Sequence, residues 1–149
     1  MKAEVVEIEG FTVAGVSATF TEDEEHVGEL WQKYGSRAEE LESIAIDPRA
    51  FGVALNTGTK GEWNYLAGKS ISPDKADAVP EGFDCRYVQG GRFAYVETTM
   101  EKMDEAFAYI DKEWLPSSTF ERDQSGPTLD VYRIDKSGNH VVGLYVPIK

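Results

Sequence analysis

The hydrophobic positions of the first half change from an extended to a helical spacing. Residues 4–20 are rich in β-favouring side chains, with Gly10 and Gly15 as candidate bends or bulges. The segment Thr21-Glu22-Asp23-Glu24 then has the form of a capping box, which opens a helix. Apolar side chains recur after it at helical spacing and form one face: Val27, Leu30, Trp31, Tyr34, Ala38 and Leu41.

Two strands are predicted after this helix. Asp47-Pro48 ends the helical region, and residues 51–56 and 63–71 both have β-strand character. The segment 57–61 between them is rich in glycine and threonine, which is typical of a turn. The first half is therefore expected to run strand, helix, strand, strand.

The second half repeats this order. Residues 84–97 are extended, and Thr98-Thr99-Met100-Glu101 again resembles a capping box. A second helical stripe follows, which Pro116 ends: Met103, Ala106, Phe107, Ile110 and Trp114. Two further strands are predicted, over residues 128–134 and 140–148.

A constant offset relates the two halves. Three pairs of corresponding positions are each 78 residues apart: Phe51 and Leu129, Trp63 and Val141, and Gly15 and Phe93. The offset predicts a duplicated βαββ unit within one domain over 1–149, with repeats of about 1–75 and 80–149 joined near 72–83. The expected fold is α+β with pseudo-two-fold symmetry: antiparallel sheets, helices on one side and a ligand cleft between the halves.

Charge narrows the range of partners. The 149 residues include 27 acidic and 15 basic side chains, giving a formal net charge of -12. That balance argues against direct nucleic-acid binding and against an anionic membrane surface, both of which need clustered lysine and arginine. An acidic protein attracts cations, although acidity is also a common means of staying soluble.

Few residues are available for metal or redox chemistry. Cys85 is the only cysteine, and His26 and His140 are the only histidines, in no metal-ligand spacing. We therefore expect no metal and no cofactor. The N-terminus has no apolar signal-peptide core, and no run of about 18 apolar residues occurs, so a cytoplasmic protein is expected.

Aromatic side chains with a polar edge are numerous. An aromatic-lined cavity suits a flat hydrophobic cation, through buried area and cation–π attraction. Each of these side chains can equally be an ordinary core or half-buried residue, above all the two tryptophans on helical stripes. The set is Trp31, Tyr34, Trp63, Tyr65, Tyr87, Tyr95, Tyr109, Trp114, Tyr132 and Tyr145.

The strand over 128–134 carries a candidate acid. Alternation places Asp130 and Tyr132 on one face and Leu129 and Val131 on the other. If the two aliphatic residues face the helices, Asp130 faces the cleft beside an aromatic ring. There it could neutralise a bound cation, or act as a general base if burial raises its pKa. It could also be a solvated acid on the strand.

Four stretches, together with YLAG at 65–68, resemble the gyrase-inhibitor-like (GyrI-like) small-molecule-binding family. They are GGRFAY at 90–95, EWLPSS at 113–118, PTLDVY at 127–132 and YVPI at 145–148. The family includes the effector-binding domains of multidrug-responsive MerR- and AraC-type transcription regulators. The resemblance implies a duplicated βαββ fold with a central cleft, and a buried acid that meets lipophilic cations.

The resemblance also implies site residues. Asp130 takes the place of the family's usual Glu and is one methylene shorter, so ligand preference can differ. Tyr132 and Tyr145 correspond to aromatic walls by motif position. Looser candidates for ligand binding, placed by segment, are Trp31, Trp63, Tyr65 and Phe93.

Three functions follow from these residues. The first is a stand-alone sensing or sequestering module for hydrophobic, often cationic small molecules, since 149 residues leave no room for a helix-turn-helix. The second, implied by the resemblance, is a hydrolase of cyclopropanoid toxins, with Asp130 as the catalytic general base or electrostatic stabiliser. The third, also implied by the resemblance, is an interaction protein whose partner is a regulator or DNA gyrase. Haem carriage, as in related double-βαββ proteins, would have only His26 and His140 as ligands.

Overall fold

The computed structural model describes residues 1–21 and 26–149. Its eight strands are β1 Glu4–Ile8, β2 Phe11–Thr21, β3 Ala50–Asn56, β4 Glu62–Ile71, β5 Asp84–Val88, β6 Gly91–Thr98, β7 Thr128–Ile134 and β8 His140–Pro147. The α-helices are α1 Val27–Arg37, α2 Met103–Tyr109 and the single turn α3 Leu115–Ser117. A 3-10 turn, Ala38–Leu41, extends α1, and a π-helical turn, Ile110–Trp114, connects α2 to α3.

All eight strands form one antiparallel sheet, in the order β1-β6-β8-β7-β3-β4-β2-β5. This confirms the α+β class. The predicted sheets of the two halves are joined into a single sheet because β3 pairs with β7 at its centre. We call this central pair the β3–β7 seam.

The edge strands pair with the opposite half. β1 precedes β2 in the chain but pairs with β6, and β5 pairs with β2. β1 ends at Ile8 and β2 begins at Phe11, so Gly10, at which a bend was predicted, lies in the connection between the two strands. At Gly15 the register runs on without a bulge; a Cβ there would overlap the Ala67 carbonyl, so this glycine permits close approach of β4.

The helix starts differ from the predicted capping boxes. Most of the first box, residues 22–24, lies outside the described residues. The second box is wrong: Thr98 ends β6 and its buried hydroxyl has no partner among the described residues. The helical region starts after Thr99 as the 3-10 turn Met100–Lys102, and no side chain of the described residues caps its start.

The sheet has one helix-covered face and one without helices. On the first face α1 packs over β2 and β4, and α2 packs over β6 and β8. The side chains buried on the second face are Val13, Phe51, Val53, Leu66, Val88, Phe93, Leu129 and Val131. Within the described ranges, no helix is long and apolar enough to cross a bilayer.

The orientation of β7 is the reverse of the expected one. Asp130 and Tyr132 do share a face, but it is the helix-covered face, and Leu129 and Val131 lie on the other. The β3–β7 seam runs between the two helices, so its aliphatic side chains are not covered by either helix. They are buried instead on the helix-free face, against residues of β1 and β2 such as Val6.

Candidate functional site

The candidate site lies on the helix-covered face of the β3–β7 seam. Register pairs Asp130 of β7 with Gly52 of β3. β4, next to β3, supplies Tyr65, and α1 supplies Trp31 from above the sheet. The chain thus brings together four of the residues that the sequence nominated: Asp130, Tyr132, Tyr65 and Trp31.

A connected set of hydrogen bonds joins these four side chains. Tyr65 Oη donates to Asp130 Oδ2 at 2.7 Å, and Tyr132 Oη donates to the same oxygen at 2.5 Å. Trp31 Nε1 donates to Tyr65 Oη at 3.0 Å. Two hydroxyls therefore converge on one carboxylate oxygen, and the indole fixes the orientation of one of those hydroxyls.

Asp130 is a buried carboxylate without a cation. It is 7% exposed, and the ion pairs found among residues 1–21 and 26–149 do not include it. Burial raises the pKa of Asp130 to about 6, against the opposing effect of the hydrogen bonds from Tyr132 and Tyr65. Among the described residues, the two tyrosine hydroxyls and a backbone hydrogen bond stabilise its charge, and no cationic side chain does.

The two tyrosines remain donors at neutral pH. Burial first, and then the charge of Asp130, raise the pKa of Tyr65 and that of Tyr132 far above the ordinary value. Both phenols are therefore protonated whenever Asp130 is ionised. The arrangement can hold a carboxylate in a buried place and present it to a ligand.

Aromatic rings enclose the acid. Trp31 meets Tyr132 edge-on, with ring centroids 5.1 Å apart and planes at 74°. It also meets Tyr65 at 6.3 Å and Tyr34 at 5.7 Å. Trp63 meets Tyr65 from the other side at 6.1 Å. The rings come from α1 and from two strands, β4 and β7, so the wall is assembled only when the chain folds.

Two cavities flank the acid along the seam. One of about 400 Å³ lies beside the pair Ala54–Thr128 and is also lined by Trp63 and Phe107. The other, about 310 Å³, lies beside the pair Ala50–Tyr132. Asp130 lies between these pairs in register, so open space approaches it from both ends.

Phe93 and Tyr145 lie away from this site. Both are on the helix-free face, with ring centroids 6.1 Å apart. Tyr145 pairs in register with Leu129, and side chains of paired residues share a face, so β8 directs its ring away from Asp130. Tyr145 lines a separate cavity on that face.

The sequence reading missed Gly52. A Cβ built at this position would overlap the Tyr65 hydroxyl and both carboxylate oxygens of Asp130. The 78-residue offset already aligned position 52 with position 130. That alignment was the available signal, because equivalent positions of the predicted repeats would meet where the two copies pair.

The fold and the buried acid among aromatic rings define an effector-binding domain of the GyrI-like class. The chain belongs to the Cass2 family of integron-associated effector-binding proteins, whose family profile matches residues 4–148. Proteins of this family bind small molecules as effectors. Among curated protein sequences, none matches the chain.

Solved structures share the fold. SAV2435 bound to tetraphenylphosphonium matches with a TM-score of 0.77 at 16% identity, over 100% of this chain and 94% of that one. An integron cassette protein from the mobile metagenome of Vibrio cholerae matches at 0.69 and 18%, over 99% and 95%. The EcmrR C-terminal domain matches at 0.70 and 9%, over 99% and 97%. At these identities the likeness concerns the fold.

Proposed function

We propose that this protein binds lipophilic cations on the helix-covered face of the β3–β7 seam, with Asp130 as the counter-charge. The observation that carries the proposal is a carboxylate that is 7% exposed, surrounded by aromatic rings and lacking a cation among the described residues. The similar structure of SAV2435 with tetraphenylphosphonium supports the same ligand class.

Electrostatics favours a cation over a neutral ligand. An ionised carboxylate in a buried place has lost much of its hydration, and hydroxyl dipoles replace it only in part. A cation that enters the site gives the carboxylate a favourable electrostatic interaction in place of the hydration it has lost. The faces of Trp31, Tyr65 and Tyr132 add cation–π attraction and apolar contact area.

Access requires a movement of Trp31. Its ring packs on Tyr65 and Tyr132, between the acid and α1, and its one side-chain hydrogen bond goes to Tyr65. The side chain is only half-buried. A bulky ligand that displaces the indole would join the two cavities along the seam and reach Asp130.

The experiment is a titration of intrinsic tryptophan fluorescence with tetraphenylphosphonium. We expect saturable quenching in the wild type and an affinity about tenfold lower or more in Asp130→Asn, which is roughly 1.4 kcal/mol. Asp104→Asn is the matched control, because it makes the same charge change at an exposed position on α2. Equal binding by wild type and Asp130→Asn would refute the role of Asp130.

The hydrolase alternative uses the same carboxyl group. A pKa of about 6 suits a general base near neutral pH. Mass spectrometry of the titrated mixtures separates the two functions, since a binder returns its ligand unchanged and a hydrolase adds water to it. A regulator or gyrase partner, multidrug breadth and a cytoplasmic location stay predictions from the sequence.

A further inference from the structure

A larger cavity lies on the helix-free face, away from Asp130. Its volume is about 440 Å³, within the range of small-molecule pockets. One wall is apolar and includes Val53, Val88 and Phe93, all of them buried. The lining also includes Arg86 and residues 89–91.

Arg86, which lines this cavity, has a guanidinium nitrogen without a hydrogen-bond partner among the described residues. Register pairs it with Val13, which places its side chain on the helix-free face. Nη2 donates to Asn64 Oδ1, and the Asn64 amide in turn donates to the Ala18 carbonyl at 3.2 Å. Nη1 is buried and has no hydrogen-bond partner within residues 1–21 and 26–149.

The charge of Arg86 is also unpaired. In the part of the chain that the structure describes, no salt bridge includes it. Desolvation lowers the pKa of its guanidinium, and the charge of Asp84 on the same strand only partly opposes this effect. A buried N–H of a charged group gains most from a charged acceptor, which the protein itself does not provide there.

The acid that lines the cavity is already engaged. Asp123 Oδ1 accepts hydrogen bonds from the Ser125 amide at 3.0 Å and the Ser125 hydroxyl at 2.7 Å. These bonds hold its carboxylate in the loop that precedes β7, and no hydrogen bond joins it to Arg86. The Asp123 carboxylate therefore leaves the Arg86 nitrogen available to a ligand.

We propose that this cavity is a second binding site, which takes a small organic anion with its carboxylate or sulfonate on Arg86 Nη1 and its apolar body against Val53 and Phe93. The charged groups of the two sites are separated, because Asp130 and Arg86 lie on opposite faces of the sheet.

The neighbouring cavity provides a matched control. It has a volume of about 300 Å³, lies on the same face and also contains an arginine, Arg49. Both Asp47 carboxylate oxygens already accept hydrogen bonds from this guanidinium, at 2.7 to 3.0 Å. Its charge is therefore neutralised within the protein, and it should contribute little to anion binding.

The test is a fluorescence titration with 8-anilinonaphthalene-1-sulfonate, an aromatic anion. We expect Arg86→Gln to weaken binding about tenfold or more, roughly 1.4 kcal/mol, and Arg49→Gln to leave it within about twofold of wild type. Equal affinity of Arg86→Gln and wild type would overturn the proposal and mean that Nη1 binds water only. An equal loss in both variants would overturn it as well, because the anion would then respond to net charge alone.

A second variant and a second ligand complete the test. Leu55→Glu places a carboxylate at the half-buried rim of the cavity and keeps Arg86. It should also weaken binding of the anion about tenfold, and unchanged affinity would count against the site. Tetraphenylphosphonium binding should stay unchanged in Arg86→Gln, so a failed cation site and a failed anion site give different results.

Discussion

Gly52 lies directly opposite Asp130 across the β3–β7 seam, and the space that a side chain at 52 would need is filled by the Asp130 carboxylate and the Tyr65 hydroxyl. The two positions are equivalent in the predicted repeats, 78 residues apart. The centre of the molecule therefore holds one carboxylate where a strict repeat would place two. A second acid there would repel the first and fill the site.

Gly52→Ala should damage this arrangement. The new methyl group would overlap the hydrogen-bonded oxygens of Tyr65 and Asp130, which are held by a buried network and cannot move without breaking it. We expect a loss of about 1 to 3 kcal/mol in the free energy of unfolding, measured by urea denaturation, together with weaker binding of tetraphenylphosphonium.

Gly35→Ala is the control for that substitution. Gly35 is exposed within α1, and a Cβ there meets nothing within 4 Å. Alanine in a helix interior should add about 0.5 to 1 kcal/mol of stability. If Gly52→Ala proved as benign as Gly35→Ala, the close fit between position 52 and Asp130 would be disproved.

The stability contribution of Asp130 should depend on pH. Burial raises its pKa from 3.8 to about 6, so between these values the native state binds more protons than the unfolded chain. Ionisation of Asp130 therefore lowers the free energy of unfolding as the pH rises, by about 3 kcal/mol once the pH is above 6. Asn cannot ionise, so Asp130→Asn should gain stability relative to wild type between pH 4 and pH 7.

The free energy of unfolding of both proteins is measured by urea denaturation at several pH values. The difference between the two proteins is then compared across pH, because the contributions of the other carboxylates cancel in it. For Asp104→Asn, at an exposed position, the difference from wild type should not change comparably with pH. A constant difference between Asp130→Asn and wild type would mean that Asp130 titrates normally in the folded protein.

Cation affinity should depend on the same proton. Below pH 6 a cation must displace the proton from Asp130 before the charges can interact, so affinity should fall roughly tenfold per pH unit. Tetraphenylphosphonium carries a permanent charge, which makes it a suitable ligand between pH 5 and pH 8. Above pH 7 the affinity should be constant, and in Asp130→Asn it should be flat throughout. An equal slope in both proteins would assign the titration to another group.

Trp31 should be the tryptophan that reports ligand binding. It contacts Tyr65 and Tyr132 at the site, whereas Trp114 stacks on Phe120 with ring centroids 6.1 Å apart, beyond α2. We expect Trp31→Phe to lose more than about half of the quenching amplitude on addition of tetraphenylphosphonium. Trp114→Phe should keep it; a loss of quenching in Trp114→Phe alone would place the ligand elsewhere.

Much of the fold was predictable because its signals are local. The helix of each half and the two strands after it follow from side-chain periodicity, and the observed strands β3, β4, β7 and β8 match the predicted ranges within one residue. The extended segments 4–20 and 84–97 were each predicted as one strand and hold two, β1 with β2 and β5 with β6. The shared face of Asp130 and Tyr132 follows from strand alternation alone. The capping box at 98–101 was wrong because Thr98 remains in β6, paired with Val142, so the helical region begins only after Thr99.

The site was predictable only in part. The resemblance named Asp130 and Tyr132 by motif position, whereas Tyr65 was placed only by segment. The structure shows that Tyr65, 65 residues before Asp130 in the chain, donates a hydrogen bond directly to its carboxylate. Phe93 and Tyr145 show the limit of that reasoning. The family motifs placed them on strands, but which face of each strand lies at the site depends on the elements that pack against that face.

The sequence by itself determined the helix and the two following strands of each half and the shared face of Asp130 and Tyr132, since each depends on spacing along the chain. The family resemblance named Asp130 as the central acid, and the duplicated unit stays a prediction. The tertiary structure decided which face of β7 lies under the helices, that Gly52 makes room for Asp130, and that Arg86 is left with an unpaired nitrogen. These features depend on contacts between strands far apart in the chain. Such contacts are fixed only when both faces of the sheet are buried together.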